Sequence, residues 1–418
     1  MIKIKNFFSI FNKSQKIFIA SLLFCVFFIS CDYAIIRPAS TSIFISNFTS
    51  KLFPYCWILG VPFNLLVVYL YNRFLPKIGC LKTFLIFVLS IIVINASTGI
   101  FVTRFPMLIF LQFLFKDAYI LLAFKQAWSM IHSTINTQKA KFLYGFMFGV
   151  GGLGSVFGGL VSGYFAVDIK SSNLFLFSIP LYLIIFVFYK IALKNSNVNE
   201  SDFKKEMFDD SSYSKEGFSL IRRSPYLKFI LFIVVFMQIS TAFLDYQFNV
   251  FLEKTITNID LRTAYTGKLT SIINSISTAF QFFGGFLLIN YLGLRRSHMI
   301  VPLVLAFNSI LFLVFPSFAM ITMAFATIKT MDYSFFGILR EMLYIPLKTD
   351  EKYRAKAIID VFAYRSAKAF ASLFLIFIQN ITVLNLILLI TILSMIIYFI
   401  WARVVSLLFN KNSELVQD

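Results

Sequence analysis

Lysines, arginines and aspartates interrupt apolar runs of this chain, where an ionised side chain is costly unless it is paired or faces water. Asp117 and Lys125 lie two turns apart, so they share nearly one side of a helix. Lys125, Trp128 and His132 fall at i, i+3 and i+7 on one stripe. Asp245 stands within another apolar run, and Lys329 and Asp332 are one turn apart in a third. Lys356 and Asp360, at i and i+4, are spaced to pair, and Arg365 and Lys368 follow them. Lys116 and Lys356 fall near expected helix ends, where snorkelling competes with a substrate role. For Asp245, Lys329, Asp332 and Arg365 a hydrated cavity is the favoured reading. The set leans cationic. Fixed cations with a few carboxylates suit a phosphate- or carboxylate-bearing solute.

The elements that must hold these charges follow from composition. The chain has 418 residues, of which 59% are hydrophobic and 14% charged, and its mean hydropathy is +0.82. An ordinary soluble domain is about 45–50% apolar and about 25% charged. A soluble enzyme, a nucleic-acid-binding domain and a disordered chain are therefore excluded. A membrane β-barrel is disfavoured, because its strands would alternate apolar and polar residues. The expected fold is all-α and polytopic, with about twelve transmembrane helices. The spans fall near 17–36, 52–71, 83–103, 107–131, 143–165, 172–192, 226–250, 267–290, 298–315, 317–336, 355–378 and 382–405. Lysines before the first run give it the look of a secretory signal, but a retained first helix is expected. The polar stretch 193–225 divides the chain into an N-terminal half, 1–192, and a C-terminal half, 226–418, and is read as a cytoplasmic linker.

Lys and Arg number 38 against 19 Asp and Glu, a net charge of +19. Most of that excess is assigned to cytoplasmic loops. With the N-terminus inside, the inner side receives Arg73, Lys77, Lys82, Arg295, Arg296, Arg340, Lys352 and Arg403, among others. The outer side receives only Arg37, Lys51, Arg104, Lys170, Lys254, Arg262 and Lys268. Both termini are then cytoplasmic. The halves echo one another: Cys31-Asp32-Tyr33 ends span one, and Leu244-Asp245-Tyr246 lies in span seven. Two parallel six-helix halves are the plan of major-facilitator-type transporters, with the substrate site between them near the midplane. Gly149-x-Gly151-x-x-Gly154 lies inside an apolar helix, so it reads as close helix packing rather than a dinucleotide loop. Cys25, Cys31, Cys56, Cys80, His132 and His298 have no metal-ligand spacing. No cofactor or metal, and no enzymatic activity, is expected.

The segment Tyr333–Lys368 reads YSFFGILREMLYIPLKTDEKYRAKAIIDVFAYRSAK. It resembles a signature of the non-mitochondrial ATP/ADP translocases of plastids and obligate intracellular bacteria, approximately K-E-M-x-Y-I-P-L, then K-A-x-I-D-V, then R-x-G-K. Asp32-Tyr33 through Arg37 looks like that family's N-Y-x-x-L-R in span one. Asp117 and Asp245 fall where the family carries acidic residues. The chain departs from the pattern at Pro38-Ala39-Ser40-Thr41, where the family has a Lys-Asp pair after the span-one arginine.

The resemblance implies a secondary transporter of nucleotides working by alternating access, of the ATP/ADP-exchange or nucleotide-uptake type, in a bacterial inner (cell) membrane. The alternative is a proton-coupled carrier of another organic anion or a nucleoside-like solute. The expected partners are a nucleotide substrate and the lipid bilayer, with no nucleic acid. The candidate substrate-binding residues are Arg37, Asp117, Lys125, Asp245, Lys329, Lys356, Asp360 and Arg365. The cations would clamp phosphate, and Asp117, Asp245 and Asp360 would balance charge or gate. Trp128, Tyr246 and Tyr364 are available for base stacking.

Overall fold

The computed structural model describes residues 11–135, 137–196, 219–347, 355–356, 358–381 and 385–411. Of the expected features, most of the 193–225 linker and the side chains of His132, Tyr364 and Arg365 lie outside the described residues. In lipid, every backbone N–H and C=O must be satisfied within its own segment, so long apolar runs fold as helices. The described residues carry no strand.

In chain order the helices are α1 (Lys13–Phe48), α2 (Phe53–Ile78), α3 (Cys80–Phe101), α4 (Met107–Thr134), α5 (Thr137–Ile169), the short α6 (Asn173–Phe177) and α7 (Ile179–Lys194). Then follow α8 (Pro225–Thr255), α9 (Ile259–Ala279), α10 (Gly285–Val314), α11 (Phe318–Tyr333), α12 (Phe335–Leu343), α13 (Tyr364–Ile381) and α14 (Leu386–Lys411). Local signals mark several starts. Ser224 caps α8 by accepting from the Leu227 amide, with Pro225 in the first turn. Ser317 caps α11 in the same way through the Met320 amide.

Some boundaries differ from the sequence expectation. Helix α1 runs 36 residues, straight through Pro38. Its added turns bury Ser40 and Ser42, so an inward polar face extends it past the apolar run. The break between spans eight and nine falls at Gly293, whose φ of 74° is cheap for glycine. Span eight starts early, as α9, and passes through a π-turn at Phe280–Gly284. Span eleven opens with a second π-turn, Ile358–Ala363. Among the described residues nine helices are long and apolar enough to cross a membrane. The spans that miss this mark centre on α9, α11 and α13. Helix α9 holds Arg262 and Lys268, α13 holds Arg365 and Lys368, and α11 is only 16 residues long.

Burial sorts the helices. The most apolar window of α1 is 67% buried and that of α8 61%, against 17% for α2 and 28% for α3. Helices α1 and α8 are therefore internal, and they carry Asp32, Tyr33 and Asp245. Helices α2 and α3 leave Leu65, Leu66, Ile86 and Val93 bare, as lipid-facing helices do.

The chain falls into two compact units. One is Met1–Asn47, Pro62–Phe208 and Asn258–Ser275; the other is Phe48–Val61, Asp209–Thr257 and Ile276–Asp418. Lipid tails are as apolar as leucine, so helix packing in both rests on close contact and hydrogen bonds. In the first unit, a Cβ on Gly154 would collide with the Phe27 carbonyl, and one on Gly158 with that of Cys31. Glycine there lets α5 lie directly on α1. A buried polar string stitches four helices: Ser40 Oγ donates to Gln112 Oε1 (2.7 Å), Gln112 Nε2 to Asn95 Oδ1 (3.3 Å), and Asn95 Nδ2 to Tyr182 Oη (2.9 Å). In the second unit, Leu227, Ile230, Val234 and Met237 of α8 pack with Val301 and Leu305 of α10, Ile328 of α11 and Trp401 of α14.

Candidate functional site

Each unit holds its own cluster of charges. In the first, α1 and α4 bring together Tyr33, Arg37, Lys116 and Asp117. Lys116 Nζ lies 3.0 Å from Asp117 Oδ1, and Tyr33 Oη donates to the same oxygen at 3.0 Å. The Arg37 guanidinium lies 6.0 Å from the Tyr33 ring centre. Lys116 also sits 3.8 Å from the Phe113 ring centre. The lysine side chain is 5% exposed and the aspartate 44%. The cation is thus sunk in the helix packing, and the carboxylate looks outward. Lys125, two turns further along α4, has other partners: it donates to Asn72 Oδ1 (3.1 Å) and lies over Tyr71. Trp128 meets Phe148 of α5 in a tilted ring contact, with centroids 5.2 Å apart.

The second unit holds the denser cluster. Asp245 of α8 meets Lys329 of α11 at 2.7 Å through Oδ1, and Lys329 donates to Oδ2 at 3.0 Å. Their side chains are 8% and 6% exposed. Lys368 of α13 approaches the same carboxylate at 4.0 Å with 36% of its side chain exposed. Its ammonium lies 4.7 Å from the Trp57 ring centre. Asp332, one turn beyond Lys329, accepts from Gln238 at 3.5 Å. Asp245 is twenty residues into α8, about 30 Å along its axis, far from the helix start. Two ammonium groups thus converge on one buried carboxylate, and fixed lysines of this kind can form charge-assisted hydrogen bonds to an anionic solute.

A third group lies around α12. Arg340 Nε is 3.5 Å from Asp360 Oδ1, and Tyr344 Oη donates to that oxygen at 3.0 Å. Lys356 pairs with Glu341 at 2.6 Å, with both side chains well exposed. The i, i+4 spacing of Lys356 and Asp360 therefore does not become an ion pair among the described contacts. The π-turn at Ile358–Ala363 changes the angle between successive residues and turns Asp360 toward Arg340 and Tyr344. Arg365 is placed on α13 by its backbone alone.

Of the eight candidates, Arg37 and Asp117 share Tyr33, and Asp245 and Lys329 form a direct pair. Lys356 and Asp360 share Tyr344, and Lys125 sits in separate contacts. Sequence reasoning left four participants off the candidate set. Lys116 and Tyr33 complete the first cluster, and Lys368 and Trp57 the second. Lys116 falls near an expected helix end, where snorkelling competes with a substrate role, yet it is buried. Lys368 carried a signal, its place at the end of the family-like segment. Trp57 carried none, being one aromatic among many.

Among the described residues the architecture is all-helical with membrane-length helices, a polytopic fold of the major-facilitator type. The POT family transporter PepTSo shares this fold, with a TM-score of 0.66 at 13% identity over 98% of this chain and 99% of that one. The nucleoside transporter NupG shares it at 0.63 and 13% identity, over 96% and 100%. Within that class, the chain belongs to the TLC ATP/ADP transporter family, whose model matches residues 120–411. It is similar to ADP,ATP carrier protein 1 of Chlamydia trachomatis, 24% identical over 195 residues, 42% of this chain and 37% of that protein. The Chlamydia muridarum protein of the same name is 23% identical over the same shares. The chain thus matches little more than a third of the length of these relatives. The matched family region, 120–411, contains Asp245, Lys329, Lys356, Asp360 and Lys368.

Proposed function

We propose that the chain is a secondary transporter that carries nucleotides across a bacterial inner membrane by alternating access, in ATP/ADP-type exchange or nucleotide uptake. The observation that carries this reading is the Asp245–Lys329–Lys368 centre, two lysines on one buried carboxylate inside the matched region. Polyphosphate is recognised by fixed cations through charge-assisted hydrogen bonds. The family and the Chlamydia ADP,ATP carriers support a nucleotide as the solute. On this reading 1–192 and 226–418 are the two moving halves and 193–225 is the linker, with both termini cytoplasmic. The Lys/Arg asymmetry of the loops supports that orientation.

The alternative, a proton-coupled carrier of another anion or a nucleoside-like solute, is favoured by one feature. The Pro38–Thr41 stretch is occupied structurally: Pro38 is buried, and Ser40 is tied to Gln112. It presents no Lys-Asp pair.

Uptake of radiolabelled ATP into proteoliposomes, with and without internal ADP, tests the proposal. Stimulation by internal ADP is the result expected. Competition should fall from tri- and diphosphate to monophosphate, with the nucleoside weakest. Equal competition by the nucleoside would transfer the assignment to the alternative. Cysteines at Ser211 and Asn258 should label from opposite sides, and labelling of both from one side would sink the topology.

A further inference from the structure

Asp245 is approached by two lysines that are not equivalent. Lys329 lies 2.7 Å from it and is almost wholly buried. Lys368 stands 4.0 Å away with a third of its side chain exposed, above the Trp57 ring. We infer that Lys368 is a phosphate ligand for the transported nucleotide, held on Asp245 and Trp57 until substrate arrives. This deepens the nucleotide-transport reading and rests on it.

Coulomb attraction falls as the inverse of distance and strengthens as water is excluded. Both factors make the Lys329 pair the stronger, and both leave Lys368 the cheaper to withdraw. Lys329 alone neutralises Asp245, so Lys368 can leave without stranding a buried carboxylate. Asp332, the other carboxylate near Lys329, accepts from Gln238 at 3.5 Å and also faces the Arg340 charge. A lysine ammonium is a compact charge on a flexible four-carbon stem, so it can swing between acceptors. A polyphosphate carries more negative charge than one carboxylate and offers more acceptor oxygens. The Trp57 face gives the ammonium a resting place that releases it readily, since an exposed cation–π contact is weak. Asp245 then acts as an internal substitute for the substrate's phosphate. It keeps the empty site from holding an unmatched positive charge and competes for Lys368 at product release. Lys368 is thereby assigned as a binding residue, Lys329 as the fixed counter-ion and Trp57 as a positioning residue.

The test uses the full-length chain in proteoliposomes with radiolabelled ATP. Lys368→Gln should raise the KM for ATP about tenfold or more, the loss of a charge-assisted contact. Its detergent melting temperature should stay near wild type, because the buried Asp245–Lys329 pair is intact. Lys368→Arg should recover most of the affinity. Trp57→Leu should move KM the other way, downward by about threefold, because the resting position is weakened. An unchanged KM in Lys368→Gln overturns the assignment, as does loss of melting temperature and rate together. A raised KM in Trp57→Leu overturns the resting position. If wild type takes up no nucleotide, the transport reading fails first, whatever the variants do.

Discussion

The two units place an aspartate, a lysine and a tyrosine on comparable ground and arrange them in opposite ways. In the first, Lys116 is buried and Asp117 is the exposed partner. In the second, Asp245 and Lys329 are both buried, and the exposed partner is a second lysine, Lys368. The Asp-Tyr echo diverges as well. Asp32 lies inside the first unit at 1% exposure, and its neighbour Tyr33 reaches Asp117. Asp245 meets the two lysines, and its neighbour Tyr246 packs among Phe243, Leu375 and Ile390. The first unit therefore offers a carboxylate outward, and the second offers an ammonium. Similar residues in similar helices need not do similar work. What decides is which member of a pair the helix packing takes out of water.

The largest expected effect tests the buried pair. Breaking a buried ion pair by removing one partner costs about 3–5 kcal/mol, because the remaining charge loses its match. Lys329→Met should therefore lower the detergent melting temperature markedly, with Asp245 left to the more distant Lys368. The double variant Lys329→Met/Asp245→Leu should regain most of that stability and still fail to transport. A single variant that melts like wild type would show that water already reaches the pair, and the contrast between the units would vanish.

In the first unit the asymmetry predicts a smaller and directional effect. Asp117→Asn leaves Lys116 buried without its carboxylate and should cost about 2 kcal/mol, within the range for leaving a buried polar group unmatched. Lys116→Met leaves Asp117 where solvent reaches it and should cost less, about 1 kcal/mol. Melting of the two single variants side by side checks the order. If Lys116→Met proves the more damaging, the aspartate is less solvated than its exposure implies.

Much of this was legible in the sequence. Continuous apolar runs gave the helices, since lipid permits little else. The charges inside them marked Asp245 and Lys329 singly as candidates for a hydrated cavity, but their direct pairing is seen only in the fold. What stayed hidden depends on the third dimension. Helix α1 extends through Pro38 because Ser40 and Ser42 find buried places, which hydropathy does not register. The π-turn at Ile358–Ala363 breaks the i, i+4 rule that joined Lys356 to Asp360. Lys116 was adjacent to Asp117 all along, but adjacency in a helix points side chains about 100° apart. The Phe113 ring, 3.8 Å from the ammonium, helps to cover the buried lysine. Trp57 joins Lys368 from a helix more than three hundred residues earlier in the chain, and no local pattern reports that.

The smallest expected effect on stability separates architecture from transport most cleanly. Lys356 and Glu341 are 2.6 Å apart, but their side chains are 34% and 50% exposed. Solvent screens such a pair, so Lys356→Gln should change stability by less than about 1 kcal/mol. Lys356 also stands over the Tyr344 ring at 5.5 Å, and that contact adds little at an exposed site. Any loss of transport in this variant would then be a loss of substrate contact rather than of fold. The family-like segment in which it lies makes such a loss the expected outcome, with Lys356→Arg milder because charge survives while geometry changes. Glu341→Gln supplies the control. It frees the lysine without removing it, so it should leave transport intact if Lys356 binds phosphate. If both variants abolish uptake equally, the Lys356–Glu341 pair itself is what transport requires, and Lys356 belongs with the structural charges around α12.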